Sequence, residues 1–342
     1  MVRSEMGHRC AGKMPCRYDL QLRKKLLDSI SRAAAAPSRN SENSSSRAQC
    51  ALGLRRCLAA CAMAPLRFAA NLAWLFQEEP ALVQRMEAAS RAGFRAVELG
   101  FPYTCSAPEL RAAAERDGLE VVLLNTPPGN QEKGDMGLGA VPGRQAEFRE
   151  ALAVAVKYAK ELKCPRIHLM AGRFPTGAKR DAVSTEMEAT FIENLRYAAD
   201  ILEQENLIGL LEPINNQISD PNYFLTTPQQ AAAILEKMGS PSLKLQLDIF
   251  HCQIMNGNLT QNLKAYFPII GHIQIAQVPG RHEPDSPGEL NFPYLFQLLE
   301  SMSYSGYIGC EYKPKGNTLD GLNWLYSYWE DHCVGKVGKK MK

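Results

Sequence analysis

Four oxygen-bearing side chains sit inside or at the end of apolar, strand-like runs: Glu212 in GLLEP, Asp248 in KLQLD, Gln274 in GHIQIA and Glu311 in YIGCEY. Strands covered on both faces normally read as almost unbroken hydrocarbon, so each of the four is out of place unless it has work to do. Carboxylate and amide oxygens are the donors that a hard divalent cation such as Mg²⁺ or Mn²⁺ takes. A structural zinc site would draw on Cys and His instead.

The elements that must position these residues begin abruptly at Arg67. Strand candidates are 67–72, 96–101, 120–125, 166–171, 208–212, 243–250, 270–276 and 306–312. Amphipathic stretches at 80–92, 107–117, 145–163, 186–205, 228–238, 259–267, 293–302 and 318–331 read as the helices between and after them. Eight such units in about 270 residues predict an α/β chain folded as a single (β/α)8 TIM barrel, for which roughly 250 residues is usual. An open doubly wound sheet would place a glycine-rich nucleotide loop after its first strand. ANLAWLF has none, and GLGAVPG at 137–143 lacks the required spacing.

In a barrel, residues at the C-terminal strand ends line the mouth and alternate residues point inward. Parity then groups Lys244 and Gln246 with Asp248, His272 with Gln274, and Lys313 with Glu311. Glu98, within AVELGF, has burial against it and is expected to line the pocket. Trp74, Phe76, Phe101 and Tyr103 could roof a small pocket, although packing beneath the helices accounts for them nearly as well. Trp324, Tyr328 and Trp329, at helical spacing, read as packing or an oligomer contact.

The net charge of +3 over 342 residues hides an asymmetry. Residues 1–62 carry 12 Lys/Arg against 4 Asp/Glu, leaving the remainder at −5. A mildly acidic folded part argues against nucleic-acid binding. The expected domains are a disordered or weakly helical basic extension (1–62), a catalytic barrel (63–333) and a basic C-terminal tail (334–342). The polar run 33–47 supports disorder in the extension. No pair of the ten cysteines has zinc-knuckle or CxxC spacing, which favours free thiols in a reducing compartment. The expected location is cytoplasmic, with mitochondrial targeting by the basic extension as the alternative. No apolar run reaches membrane-spanning length.

The segments FAANLAWLF, FPY, NTPPG, PGR, HLMAG, LDIFHCQIMNGNLT, HIQIAQVPGRHEPDSPGELNFPYLF and GYIGCEYKPKG together resemble the hydroxypyruvate isomerase family, within the broader xylose-isomerase-like barrel enzymes. The resemblance covers about residues 66–332. It implies that Glu212 and Glu311 form a proton-transfer pair. It also implies that Glu212, Asp248, Gln274 and Glu311 hold one divalent ion, Mg²⁺ or Mn²⁺, with Gln274 standing where related sugar epimerases carry His. The implied reaction interconverts hydroxypyruvate and 2-hydroxy-3-oxopropanoate (tartronate semialdehyde) through a metal-stabilised enediol. It needs a base, an acid and a group to steady the developing negative oxygen, and two carboxylates meet the first two needs.

Candidates to bind the substrate are His251, three residues after Asp248, with Arg281, His282 and Lys313 facing its carboxylate. His168 reads as a satisfied interior histidine. The expected partner is a small keto acid, with neither nucleic acid nor membrane, and a homo-oligomer is compatible. The alternatives are a 3-epimerase or isomerase of a longer keto sugar, an abasic-site endonuclease, and an inactive binding barrel.

Overall fold

The computed structural model describes residues 65–175 and 177–334. The expected extension 1–62 and all of the C-terminal tail except Val334 lie outside the described residues.

Eight parallel strands close in sequence order: β1 (Arg67–Asn71), β2 (Ala96–Glu98), β3 (Glu120–Asn125), β4 (Arg166–His168), β5 (Ile208–Leu211), β6 (Leu243–Asp248), β7 (Ile270–Ile275) and β8 (Tyr307–Cys310). Closure is made by β1 against β8, with Arg67 opposite Tyr307 and Ala70 opposite Cys310. The surrounding helices are α1 (Leu82–Arg91), α2 (Ala107–Asp117), α3 (Gln145–Leu162), α4 (Arg180–Gln204), α5 (Pro228–Met238), α6 (Ile249–Met255), α7 (Leu259–Tyr266), α8 (Phe292–Ser301) and α9 (Asn323–Val334). This is the TIM barrel that the alternating pattern predicts.

Helix starts follow local chemistry. Ser106 and Thr227 accept from the backbone N–H groups of Glu109 and Gln230, each followed by a proline in the first turn. Helix α2 stops at Gly118, whose φ of 63° suits a residue without a side chain.

Several strands are shorter than their apolar runs. β2 ends at Glu98 and β4 at His168, because the following residues bend out to build the mouth. Residues 249–255, whose start the pattern assigned to a strand, form α6. The hydrocarbon of IFHC serves a short helix as well as it would a strand, and Asp248 caps it.

The main apolar layer lies between strands and helices. Phe68 on β1 meets Phe296, Trp324 and Tyr328 edge-on at centroid distances of 5.2–5.4 Å. The aromatic run on α9 is thus packing, as its spacing suggested. Phe76 is also core, edge-on to Phe94 at 6.3 Å. Among the described residues no helix is long and apolar enough to cross a membrane, and Cys105, Cys164, Cys252 and Cys310 are free thiols.

Phe68→Ala removes the centre of the aromatic cluster. It is expected to lower stability by about 3–5 kcal/mol, read from denaturant unfolding. A loss under about 1 kcal/mol would show that the cluster is not what ties α8 and α9 to the barrel.

Candidate active site

Asp248 is the last residue of β6 and the N-cap of α6, so no loop separates strand from helix. Its Oδ1 accepts the Phe250 N–H at 2.8 Å, while Oδ2 is buried without a hydrogen-bond partner. Glu212 follows β5 directly and Glu311 follows β8. Single ligand atoms of Glu212, Asp248, His251 and Glu311 lie within 4.8 Å of one another.

His251 stands one turn into α6. The backbone N–H of Asn215 donates to its Nδ1 at 3.3 Å. An accepting Nδ1 leaves Nε2 to carry the proton of the neutral ring. That nitrogen faces Asp248 Oδ2 at 3.5 Å and Glu212 Oε1 at 3.9 Å. Asn215, in the NNQ stretch after β5, carried no signal that sequence reading could use.

Among the described residues, Arg281 is the cation that pairs with this group. Arg281 Nη2 lies 2.6 Å from Glu311 Oε2 and 3.6 Å from Asp248 Oδ2. Its guanidinium sits between the rings of Trp74 and Phe250, at 4.5 and 4.9 Å from their centroids.

Gln274 lies beside Asp248, in register on the neighbouring strand. Its Oε1 accepts from Gln246 Nε2 at 2.6 Å and its Nε2 donates to Glu98 Oε2 at 2.9 Å. An amide oxygen has two lone pairs, so one remains free.

Beside them lies a cavity of about 500 Å³, whose lining does not include the buried Asp248 and Gln274. Glu212, His251, Arg281, Glu311 and Lys313 line it, roofed by Trp74 and Phe101. Three expectations need correction, those for His282, Glu98 and His168, and the open choice between roof and packing goes against the roof for Phe76 and Tyr103. His282 does not line the cavity, because its Nδ1 is held 2.8 Å from the Lys313 carbonyl oxygen. Phe76 is in the core, as described above. The Tyr103 hydroxyl is spent on the carbonyl of Asn125. Glu98 lies in the barrel interior rather than on the cavity wall. His168 does line the cavity: its Nδ1 is 3.2 Å from Glu212 Oε2, while its buried Nε2 has no partner.

Burial of like charges dominates the electrostatics. Glu212 is pushed well above the ordinary carboxyl range, first by burial and then by Glu311 and Asp248. Burial also lifts Glu311 to about 8 and Asp248 to about 6, with Arg281 opposing both shifts. His251 is held well below its usual value by burial and Arg281, and burial takes His168 down to about 3.

The donor set fits a hard divalent ion. Three carboxylates converge, and Asp248 Oδ2 is a buried acceptor with nothing donating to it.

Comparison with known proteins places the chain. A family model for the xylose isomerase-like TIM barrel matches residues 86–328. The chain belongs to that family. It is 66% identical over 277 residues to a human protein that bears the name hydroxypyruvate isomerase provisionally, covering 81% of this chain and all of that one. It is 45% identical to the 2-oxo-tetronate isomerase of Cupriavidus necator and 42% identical to the hydroxypyruvate isomerase of Escherichia coli. Each of these matches covers 77% of this chain, with 98% and 99% of the respective relative. A crystal structure from Brucella melitensis, described as an AP endonuclease of family 2, matches with a TM-score of 0.73 at 42% identity, over 77% of this chain and 99% of that one.

The raised carboxyls link the site to stability. A carboxyl that binds its proton more tightly when folded favours the folded state below its shifted value, so stability falls as pH rises through the window between the two values. For Glu311 that window runs from its ordinary 4.5 to about 8. Chelator-treated protein should lose thermal stability across it, and Glu311→Gln should flatten the slope. Equal slopes in both proteins would assign the titration elsewhere.

Proposed function

We propose that the chain is an isomerase of short 2-keto-3-hydroxy acids, with hydroxypyruvate as its substrate and Glu212 and Glu311 as the proton-transfer pair. The observation that carries this reading is the convergence of two buried glutamates on one cavity, in a chain that resembles proteins named as isomerases at up to 66% identity.

Moving a proton from C3 to C2 of hydroxypyruvate needs one ionised and one protonated carboxyl on the same substrate. Mutual repulsion between buried like charges favours that half-protonated state. The ionised member removes the C3 proton, giving an enediolate; the hydroxyl proton passes from the C3 oxygen to the C2 oxygen, and the protonated member delivers a proton to C2, giving the aldehyde. Arg281 against Glu311 lowers the proton affinity of that carboxyl, while Glu212 lies against the neutral rings of His168 and His251.

His251 presents an N–H to the cavity and so can donate to a substrate oxygen. Arg281, with Lys313 at the rim, supplies the positive charge for the substrate carboxylate. Glu212, Asp248 and Glu311, with the free lone pair of Gln274, would hold Mg²⁺ or Mn²⁺. When bound, the ion would polarise the ketone and offset the negative charge that develops on oxygen.

A four-carbon substrate is the second reading. A cavity of about 500 Å³ leaves room beyond three carbons, and three relatives are named for 2-oxo-tetronate. Nuclease action has less support. Among the described residues there is one group of His, Cys, Asp and Glu side chains that could hold a metal, and the chain outside 1–62 has a net charge of −5.

Glu212→Gln and Glu311→Gln should each lower turnover of hydroxypyruvate by at least about 10³-fold in folded protein, in line with the loss of a general acid or base. Wild-type rates with either change would refute the pair. Chelation should abolish turnover, and Mg²⁺ or Mn²⁺ should restore it. A higher kcat/KM for 2-oxo-tetronate would select the second reading, and nicking of abasic DNA by the purified protein would revive the nuclease.

A further inference from the structure

Beneath the cavity lies a carboxylate that the proposed chemistry does not use. Glu98, at the end of β2, is 0% exposed. Its Oε1 meets His272 Nε2, and its Oε2 accepts from Asn71 Nδ2 at 2.8 Å and from Gln274 Nε2 at 2.9 Å. The same Asn71 nitrogen also donates to Glu311 Oε1 at 3.1 Å. Asn71 is fixed in turn by its own Oδ1, which accepts the Ala73 N–H at 3.0 Å.

To make these contacts, Glu98 must reach from β2 past β1 and β8 to β7. Gly309 on β8 permits this, since a Cβ there would collide with the Glu98 carboxyl group. Barrel interiors are ordinarily filled by Val, Ile and Leu. A buried carboxylate is costly unless it is fully hydrogen-bonded; one Glu98 oxygen is held by the interior His272, and the other by Asn71, which lines the cavity, and by Gln274, which lies beside Asp248.

We infer that Glu98 is a positioning residue. Through Asn71 and Gln274 it sets where the Glu311 carboxylate and the Gln274 amide oxygen are presented to substrate and ion. The inference rests on the isomerase reading for its effect on turnover, and on geometry alone for its effect on ion binding. Such supporting partners typically change metal affinity or activity by 10–100-fold when removed.

The test measures Mn²⁺ binding to chelator-stripped protein by electron paramagnetic resonance and, separately, turnover of hydroxypyruvate. Glu98→Gln and Asn71→Ala are each expected to weaken Mn²⁺ binding by about tenfold and to lower kcat by about 10–100-fold, with KM within about twofold. The double variant should be no worse than the worse single one, because both act along one chain of contacts. Gly309→Ala, which removes no hydrogen-bonding group, should reproduce the Glu98→Gln loss and takes its place if that variant does not fold.

Wild-type binding and turnover in folded Glu98→Gln would overturn the inference, as would losses that multiply in the double variant. Wild-type protein that binds Mn²⁺ but turns over neither hydroxypyruvate nor 2-oxo-tetronate rejects the isomerase reading instead, and the Mn²⁺ measurements then decide the role of Glu98.

Discussion

The site depends on crowding like charges where water cannot screen them. Glu98, Glu212, Asp248 and Glu311 gather at one end of the barrel, and one guanidinium stands among the last three. Isolated, each carboxylate would cost several kcal/mol to bury. Three outlets relieve that cost: a shared proton, the Arg281 contact, and donors aimed from Asn71, Gln274 and the N-terminus of α6. A bound cation would be a fourth. The same crowding that burdens the fold is what makes one carboxyl willing to hold a proton at neutral pH.

Support for these groups comes from closure rather than from any single loop. Asn71 on β1 bonds Glu98 on β2 and Glu311 beyond β8, while Gln274 on β7 bonds Glu98 from the other side. The Asn71–Glu311 and Gln274–Glu98 bonds span elements that meet only once the ring is complete, while Asn71 and Glu98 face each other on adjacent strands. Opening the β1–β8 seam would therefore dismantle the site even if every helix stayed formed.

The strand-end residues were legible because they interrupt hydrocarbon. Glu212, Asp248, Gln274 and Glu311 stand out against Leu and Ile, and alternation along a barrel strand says which way they point. Other features were not legible, for reasons that are physical. The proton position on His251 is set by the backbone N–H of Asn215, 36 residues away. The reach of Glu98 requires a missing side chain on a strand distant in sequence, and an isolated glycine in YIGCEY reads as nothing more than a weak spot in a strand. His282 and Arg281 are neighbours in a loop with equal claims on a substrate anion. The chain turns at Arg281, with φ at +54°, and sends one side chain to the cavity and the other to a backbone carbonyl. Strand lengths were overread wherever apolar residues continued past the last ladder bond into the mouth.

The junction at Asp248 has an evolutionary implication. With no spacer between strand and helix, inserting or deleting one residue there would displace the carboxylate by about 3.3 Å along the chain, far more than chemistry tolerates. Length variation is thus excluded from that sector of the rim and is free to accumulate in the longer connections after β3, β4 and β5, which contribute Met136, Arg173 and Ile218 to the outer cavity wall. Descendants of such a barrel can change which molecules they admit by remodelling those segments while inheriting the reaction centre intact.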